Sequence, residues 1–236
     1  MRRSGLPVGW SEGFSPRPLI AFGLALPTGA ESVAEYLDVV LRTGPHSSDE
    51  LAAGLIARSR HVEEALGARL SGLLPAGVDV RAVAALPEGP GSLQQEVSSC
   101  SWNLEVFGLS EGELGARVER LLAAPSVLIE RERKGRSVRD DLRPSVLALA
   151  VRVAPERPGS AEDPDGSSIW LDAELGTRPR GVRPAELLGG LGPEVRLARA
   201  CRMHQWIERD GARWEPLAVS GERTGAVRTH AEWRAS

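Results

Sequence analysis

The chain has 236 residues, of which 42% are hydrophobic and 26% charged, and it carries a formal net charge of −3. That is enough globular material for one large or two small cores, and the slightly acidic balance excludes an overall basic field for nucleic acid. No run of about 18 apolar residues is present to span a bilayer. No charged-then-apolar leader opens the sequence, and Cys100 and Cys201 lack a CxxC spacing. The composition therefore predicts a cytoplasmic protein with reduced thiols, no metal site and no membrane contact.

Met1–Pro7 (MRRSGLP) reads as the basic last turn of a helix, a Gly stop and a Pro beyond it; either a strand and a helix belong upstream of it, or the fold lacks them. Ser11–Pro18 (SEGFSPRP) follows, with Trp10 before it and Phe14 inside it. Gly13 can take positive φ, and Pro16 and Pro18 push Ser15 and Arg17 toward extended backbone, which predicts a stiff, shaped loop. Leu19–Leu26 is nearly all apolar and predicts a strand covered on both faces. Ala34–Arg42 predicts a second strand. Ser47 or Ser48, followed by Asp49 and Glu50, is an N-cap with an acidic first turn. It opens a helix running to about Leu74, with Leu51, Leu55, Val62, Leu66, Leu70 and Leu73 in its stripe. Val78–Leu86 then alternates as a strand.

Pro87–Gly91 is a Pro/Gly joint. It divides the chain into a unit at 1–90 and a unit at 91–214, with a polar tail at 215–236 that frays. After the joint come a strand at Ser101–Phe107, a helix at Glu111–Ala124 capped by Ser110, and a strand at Ser126–Arg133. A polar turn at Lys134-Gly135 leads into Ser137–Val153, whose strand core is Val146–Val153. Pro155–Ser168 is a mobile loop by composition. Ile169–Leu175 reads as a strand, Pro184–Leu191 as a short helix with Pro in its first turn, and Arg196–Ile207 as the last strand. The fold class is α+β, as two tandem ferredoxin-like α/β sandwich units. The second fits β-α-β-β-β-α-β; the first, β-β-α-β, is that order without its opening strand and helix.

Three segments invite a chemical reading. Ser11–Pro18 is either a structural turn or a platform presenting Ser11, Ser15 and Arg17 to an anion or a nucleic-acid backbone. Arg131–Arg143 (RERKGRSVRDDLR) holds six basic residues against three acids. It is either a solvated hairpin tip or a phosphate-contacting hairpin, with Arg131, Arg133, Lys134, Arg136 and Arg139 as contacts. On a strand of period two, Arg202, His204 and Trp206 share a face that is suited to stacking or pairing with a base. A lone histidine on a strand is more often an ordinary surface residue. Asp140 and Asp141 alternate sides of a strand, so they make neither an acid/base pair nor a two-metal site, and no histidine set has metal-ligand spacing. No catalytic residue is assigned.

The stretch WSEGFSPRP, an apolar strand and then PTGAESVAEYLDV resembles the pattern (Y/W)-S-(Q/E)-G-F-(N/S)-P-x-P, strand, P-x-G-x-E-S-x-x-E-Y-x-D. That pattern marks the bacterial radical-SAM-linked protein family, a domain of unknown function found fused to radical-SAM proteins or encoded beside them. DDLRPSVLALAVRV resembles the family's D-x-R-P strand, and GVRPAELL with the Arg-rich last strand is similar too, so that the resemblance covers roughly Met1–Trp206. The family-pattern positions are Ser11, Gly13, Phe14, Pro16, Pro18, Glu31, Glu35, Tyr36, Asp38, Asp141, Arg143, Pro144, Arg183 and Pro184. The chain departs from the family in lacking the upstream strand and helix, and in reading Arg-Met-His-Gln where a small polar residue usually follows the arginine.

The resemblance implies partnership with a radical-SAM protein encoded nearby. This chain has no CxxxCxxC to ligate an iron–sulfur cluster. It is therefore expected to be the accessory, non-catalytic and without a cofactor, binding a substrate for the partner or docking onto it. The candidate binding residues are Ser11, Gly13, Phe14, Ser15, Arg17, Glu31, Asp141 and Arg143. The alternative is a stand-alone RNA-binding or RNA-processing protein, because tandem ferredoxin-like domains resemble those of CRISPR-repeat endoribonucleases and tRNA pseudouridine synthases. Arg202 and His204 would then join the hairpin residues as contacts.

Overall fold

The structure, a computed structural model, describes residues 2–42, 59–86, 93–133, 135–152, 169–209 and 211–217. The expected helix start at Ser47 or Ser48, the joint at Pro87–Gly91, Lys134, the loop at Pro155–Ser168 and most of the tail lie outside them. The described chain is α+β and forms two compact units.

The first unit comprises Met1–Leu24, Tyr36–Glu96 and Asp210–Ser236. Strands β1 (Ile20–Phe22) and β3 (Leu37–Val39) pair antiparallel, with Ile20 opposite Val39 and Phe22 opposite Leu37. The chain before them adds to this ladder: Gly9 N donates to Val40 O at 2.7 Å, and Leu19 N to Gly9 O at 2.8 Å. The strand is shorter than the apolar run Leu19–Leu26 predicts, and Phe22, Leu37 and Val40 are exposed. The ladder ends at Gly23, whose N–H still donates to Tyr36 O at 3.0 Å.

Helix α1 (Arg60–Ser71) buries Leu66 and Gly67. The following chain folds back on it, Val80 standing 3.8 Å from the position of a β-carbon on Gly67. Val78–Leu86, predicted as a strand, forms none among the described residues. The Val80 N–H donates to Ser71 Oγ at 2.8 Å instead of to a neighbouring strand. A single turn, α2 (Leu93–Glu96), ends the unit's central stretch.

The second unit comprises Val97–Arg209 and the segment Ala25–Glu35. Its strands β4 (Val97–Phe107), β7 (Val146–Arg152), β8 (Ile169–Gly176) and β9 (Arg196–Arg209) lie in the order β9-β4-β8-β7, all antiparallel. Every second residue of β4 meets every second residue of β8: Cys100 faces Leu175, Trp102 faces Ala173, Leu104 faces Leu171 and Val106 faces Ile169. All eight are buried, which is the period-two signature of one covered sheet face. Helices α3 (Glu111–Ala123) and α4 (Pro184–Leu191) contribute the buried residues Leu114, Val118, Leu121, Leu187, Leu188 and Leu191 to the same core. Full burial of a leucine such as Leu104 contributes about 1.5–3 kcal/mol.

Both helices start where sequence signals place them. Ser110 Oγ accepts from Glu113 N while Glu113 Oε2 accepts from Ser110 N, a reciprocal capping box. Pro184 opens α4, where the missing N–H has no partner to lose. The stretch expected as one strand region, Ser137–Val153, divides. Strand β6 (Arg136–Asp141) pairs with β5 (Leu128–Arg133) as a separate two-stranded sheet, and a 3-10 turn at Arg143–Ser145 precedes β7. Among the described residues, the stretch Val97–Arg209 thus contains one more strand than β-α-β-β-β-α-β. Among the described residues no helix is long and apolar enough to cross a membrane.

Candidate functional site

Two places carry side chains with something to do, one in each unit. In the first unit, Trp10 and Pro18 bridge antiparallel and close the loop between them. Ser11 N donates to Arg17 O at 2.8 Å, and Arg17 N donates back to Ser11 Oγ at 3.0 Å. These bonds set the loop's width, and Gly13 at φ 119° makes its turn, where a side chain is strained. Ser11 is thus a closing residue. Ser15 and Arg17 are exposed, and Phe14 is wholly so. A rigid loop presenting an aromatic ring and a guanidinium is a contact surface.

In the second unit, Ala25–Glu35 lies against the edge of β9 as a strap. Its centre, β2 (Glu31–Ser32), pairs parallel with Cys201 and Arg202. Val33 N donates to Arg202 O at 3.0 Å, and Gln205 Nε2 donates to Ala34 O at 2.6 Å. Two ion pairs flank these backbone bonds. Arg199 donates from Nε and Nη2 to Glu31 Oε2 at 2.9 and 2.5 Å. Arg202 donates from Nε and Nη2 to Glu35 Oε1 at 3.1 and 2.6 Å.

The two pairs differ in surroundings. Glu31 and Arg199 are both partly in water, and the arginine's hydrogen bonds hold the Glu31 carboxyl below its ordinary range. The Arg202 side chain is 2% exposed, while that of Glu35 is 45% exposed. The Arg202 guanidinium lies over the Trp102 ring, 5.4 Å from its centroid. Cys100 is next to it, its thiol pushed up to about 11 by burial despite the neighbouring cation.

The expected shared face of Arg202, His204 and Trp206 does not form. Trp102 stands opposite Arg202 but Ser101 stands opposite His204, so Met203 is an extra residue, a β-bulge. The bulge turns Arg202 to the face of Trp102, Cys100 and Gln205. His204 and Trp206 stay together on the other face, stacked at 4.9 Å, and Trp206 Nε1 donates to Ser101 Oγ at 2.8 Å.

Asp141 and Arg143 are drawn into backbone contacts. Asp141 Oδ1 accepts from Val127 N and Arg143 N, which lowers its carboxyl from the ordinary range, the Val127 N–H foremost. Arg143 donates to Leu122 O near the end of α3 and to Val146 O at the start of β7. Asp140 takes both Arg131 and Arg180. In the hairpin register Arg131, Arg136, Val138 and Asp140 share one face, while Glu130, Glu132 and Arg139 share the other. Arg139 lies 3.6 Å from Glu130, both well exposed. The basic residues are therefore divided between two faces, each interleaved with acids.

Sequence reasoning passed over Arg199, Trp102 and Gln205. A signal was present: Glu31-x-x-x-Glu35 and Arg199-x-x-Arg202 are complementary charge spacings. Among the described residues no group of three or more His, Cys, Asp or Glu could hold a metal ion.

Neither the curated proteins nor the solved structures contain a match. Residues 1–171, which include the loop, the strap and the Asp141–Arg143 corner, match the profile of DUF2344, described as an uncharacterized protein conserved in bacteria, and the chain belongs to that family.

Proposed function

We propose that this protein is a non-catalytic cytoplasmic accessory of a radical-SAM protein encoded nearby, docking onto it or binding a substrate for it. The observation that carries the docking half is the loop at Ser11–Arg17. It is braced by two hydrogen bonds through Ser11 and holds Phe14 fully in water. An exposed aromatic ring on a braced loop is the kind of anchor that a protein interface uses. The partner is inferred from the sequence pattern around this loop. The same reading takes the architecture as tandem ferredoxin-like; the order β9-β4-β8-β7 with two helices in the connections supports this for the second unit.

The test is co-purification of the full chain with the radical-SAM protein encoded beside it. Retention of the pair, weakened by Phe14→Ala, is the expected result; no association at micromolar concentrations counts against the reading. The second reading, RNA binding, draws on Arg133 and Arg136 standing opposite each other at the hairpin end. It requires a salt-dependent affinity that falls in the triple variant Arg133→Ala, Arg136→Ala, Arg139→Ala. Absence of RNA binding at low salt eliminates it.

A further inference from the structure

Arg202 is an unusual component of a sheet interior. A buried guanidinium is no asset to stability, since an apolar side chain of similar volume packs there at equal or lower free energy. Its carboxylate partner comes from the strap, held to β9 by a ladder of only two residues, and is itself nearly half in water. Two further polar atoms of the same face are buried and have no hydrogen-bond partner among the described residues: Trp102 Nε1, a donor, and Gln205 Oε1, an acceptor. Trp102 stands opposite Arg202 and carries its guanidinium, while Gln205 stands opposite Cys100 and is anchored to the strap through its own Nε2. Leaving such atoms unpaired costs about 1–3 kcal/mol each, and native proteins rarely keep them without a reason.

We propose that Arg202, Trp102 and Gln205 form a binding site for a small carboxylate that also bears a hydroxyl or amino group, and that Glu35 closes this site as an internal stand-in for the ligand. The complementarity is specific. Arg202 Nε and Nη2 address a carboxylate, as they do the Glu35 oxygen. Trp102 N–H asks for an acceptor and Gln205 Oε1 for a donor, roles that a hydroxyl or amino group on the ligand can fill. An entering acid exchanges with Glu35 from the solvent side, so opening needs the strap to lift near Ala34 and leaves β4 and β9 in place. Arg202 is placed here for a small acid and not for a nucleic-acid backbone: its face is interior, and the basic hairpin residues are on other strands. The site stands or falls without reference to a radical-SAM partner, since its test uses this chain alone.

The test is calorimetric titration of the full chain with sodium glycolate, and with sodium acetate as the acid lacking the hydroxyl, against sodium chloride at equal ionic strength. Glu35→Gln removes the competing charge and is expected to bind glycolate saturably, about ten-fold or more tighter than the wild type. It should prefer glycolate to acetate by about ten-fold, the worth of one good hydrogen bond. Adding Arg202→Met should abolish binding. Because that double variant risks misfolding, Trp102→Phe in the Glu35→Gln background provides a second arm: it keeps the ring and removes the N–H, and should bring glycolate and acetate close to parity. The proposal is overturned by any of three results: no saturable glycolate binding to Glu35→Gln, equal affinity in Glu35→Gln and wild type, or an undiminished glycolate preference after Trp102→Phe.

Discussion

Arg202, 1% exposed in the sheet interior, donates from two nitrogens to a single oxygen of Glu35, 167 residues away in sequence. Removing the carboxylate strands a buried cation. A fully buried pair broken this way costs about 3–5 kcal/mol. Water reaches Glu35 and screens part of that, so Glu35→Ala should lose about 1–3 kcal/mol in urea unfolding. Arg202→Met should lose less, because it removes the charge along with the need for a partner. Glu31→Ala, at an exposed pair, should have the smallest effect of the three. Equal losses in Glu35→Ala and Glu31→Ala would mean that burial of Arg202 carries no energetic weight.

The hairpin corner should fail in acid. Asp140 is held low chiefly by Arg131, with Arg180 adding to it, and Asp141 chiefly by the Val127 N–H. A carboxyl whose folded pKa lies below its unfolded one stabilises the fold fully above the ordinary value of about 4. That stabilisation disappears as pH falls through the depressed folded value. The protection factors of the Val127 and Arg143 amides, taken against their intrinsic exchange rates at each pH, should therefore fall below about pH 4, and Asp141→Asn should lower them already at neutral pH. Protection of these amides that stays at the wild-type level in the variant would remove Asp141 as the corner's organiser.

What could be read from the sequence was what is local. Ser110 with Glu113 and the proline at 184 locate α3 and α4 to within a residue, because caps act on the turn that contains them. The alternation of Ile169–Leu175 likewise survives as β8. The break between β6 and β7 was hidden, since it depends on Asp141 and Arg143 bonding to backbone groups at Val127 and Leu122. The bulge at Met203 was hidden for a different reason: period two assigns faces only while the register is unbroken, and one extra residue moved Arg202 away from His204. The strap was the least visible. Its carboxylates find arginines far away in sequence, and only the paired charge spacings hint at it.

Helix α3 supplies a clean test of local capping. Ser110 Oγ accepts from the Glu113 N–H, and the Glu113 carboxyl returns to Ser110. Ser110→Ala should cost about 1 kcal/mol, read as a lower urea midpoint with an unchanged slope. Ser110→Asp should recover most of it, since Asp is an equal cap and also favours the helix N-terminus. A neutral Ser110→Ala would indicate that tertiary packing alone holds the first turn.

Gly108, between β4 and α3, sits at φ 107°, and a β-carbon there would run into the carbonyl of Glu194. Both backbone strain and a collision with backbone argue against any side chain, so Gly108→Ala should destabilise the second unit by about 1–3 kcal/mol or more. A full-strength Tm in the variant would show that the turn relaxes freely.

Phe14 separates surface function from stability. Its ring is fully in water and the loop that bears it is closed by Ser11 and Arg17, so Phe14→Ala removes no packing and should leave unfolding within about 0.5 kcal/mol of wild type. Ser11→Ala should differ, because it takes away the acceptor of the Arg17 N–H and widens the loop. If the loop is a docking anchor, Phe14→Ala weakens retention of the radical-SAM protein by about ten-fold or more with an unchanged Tm, as central aromatic anchors do. Ser11→Ala weakens it to a lesser degree through loss of preorganisation. Retention of the partner at wild-type strength by Phe14→Ala would move the interface elsewhere on the chain.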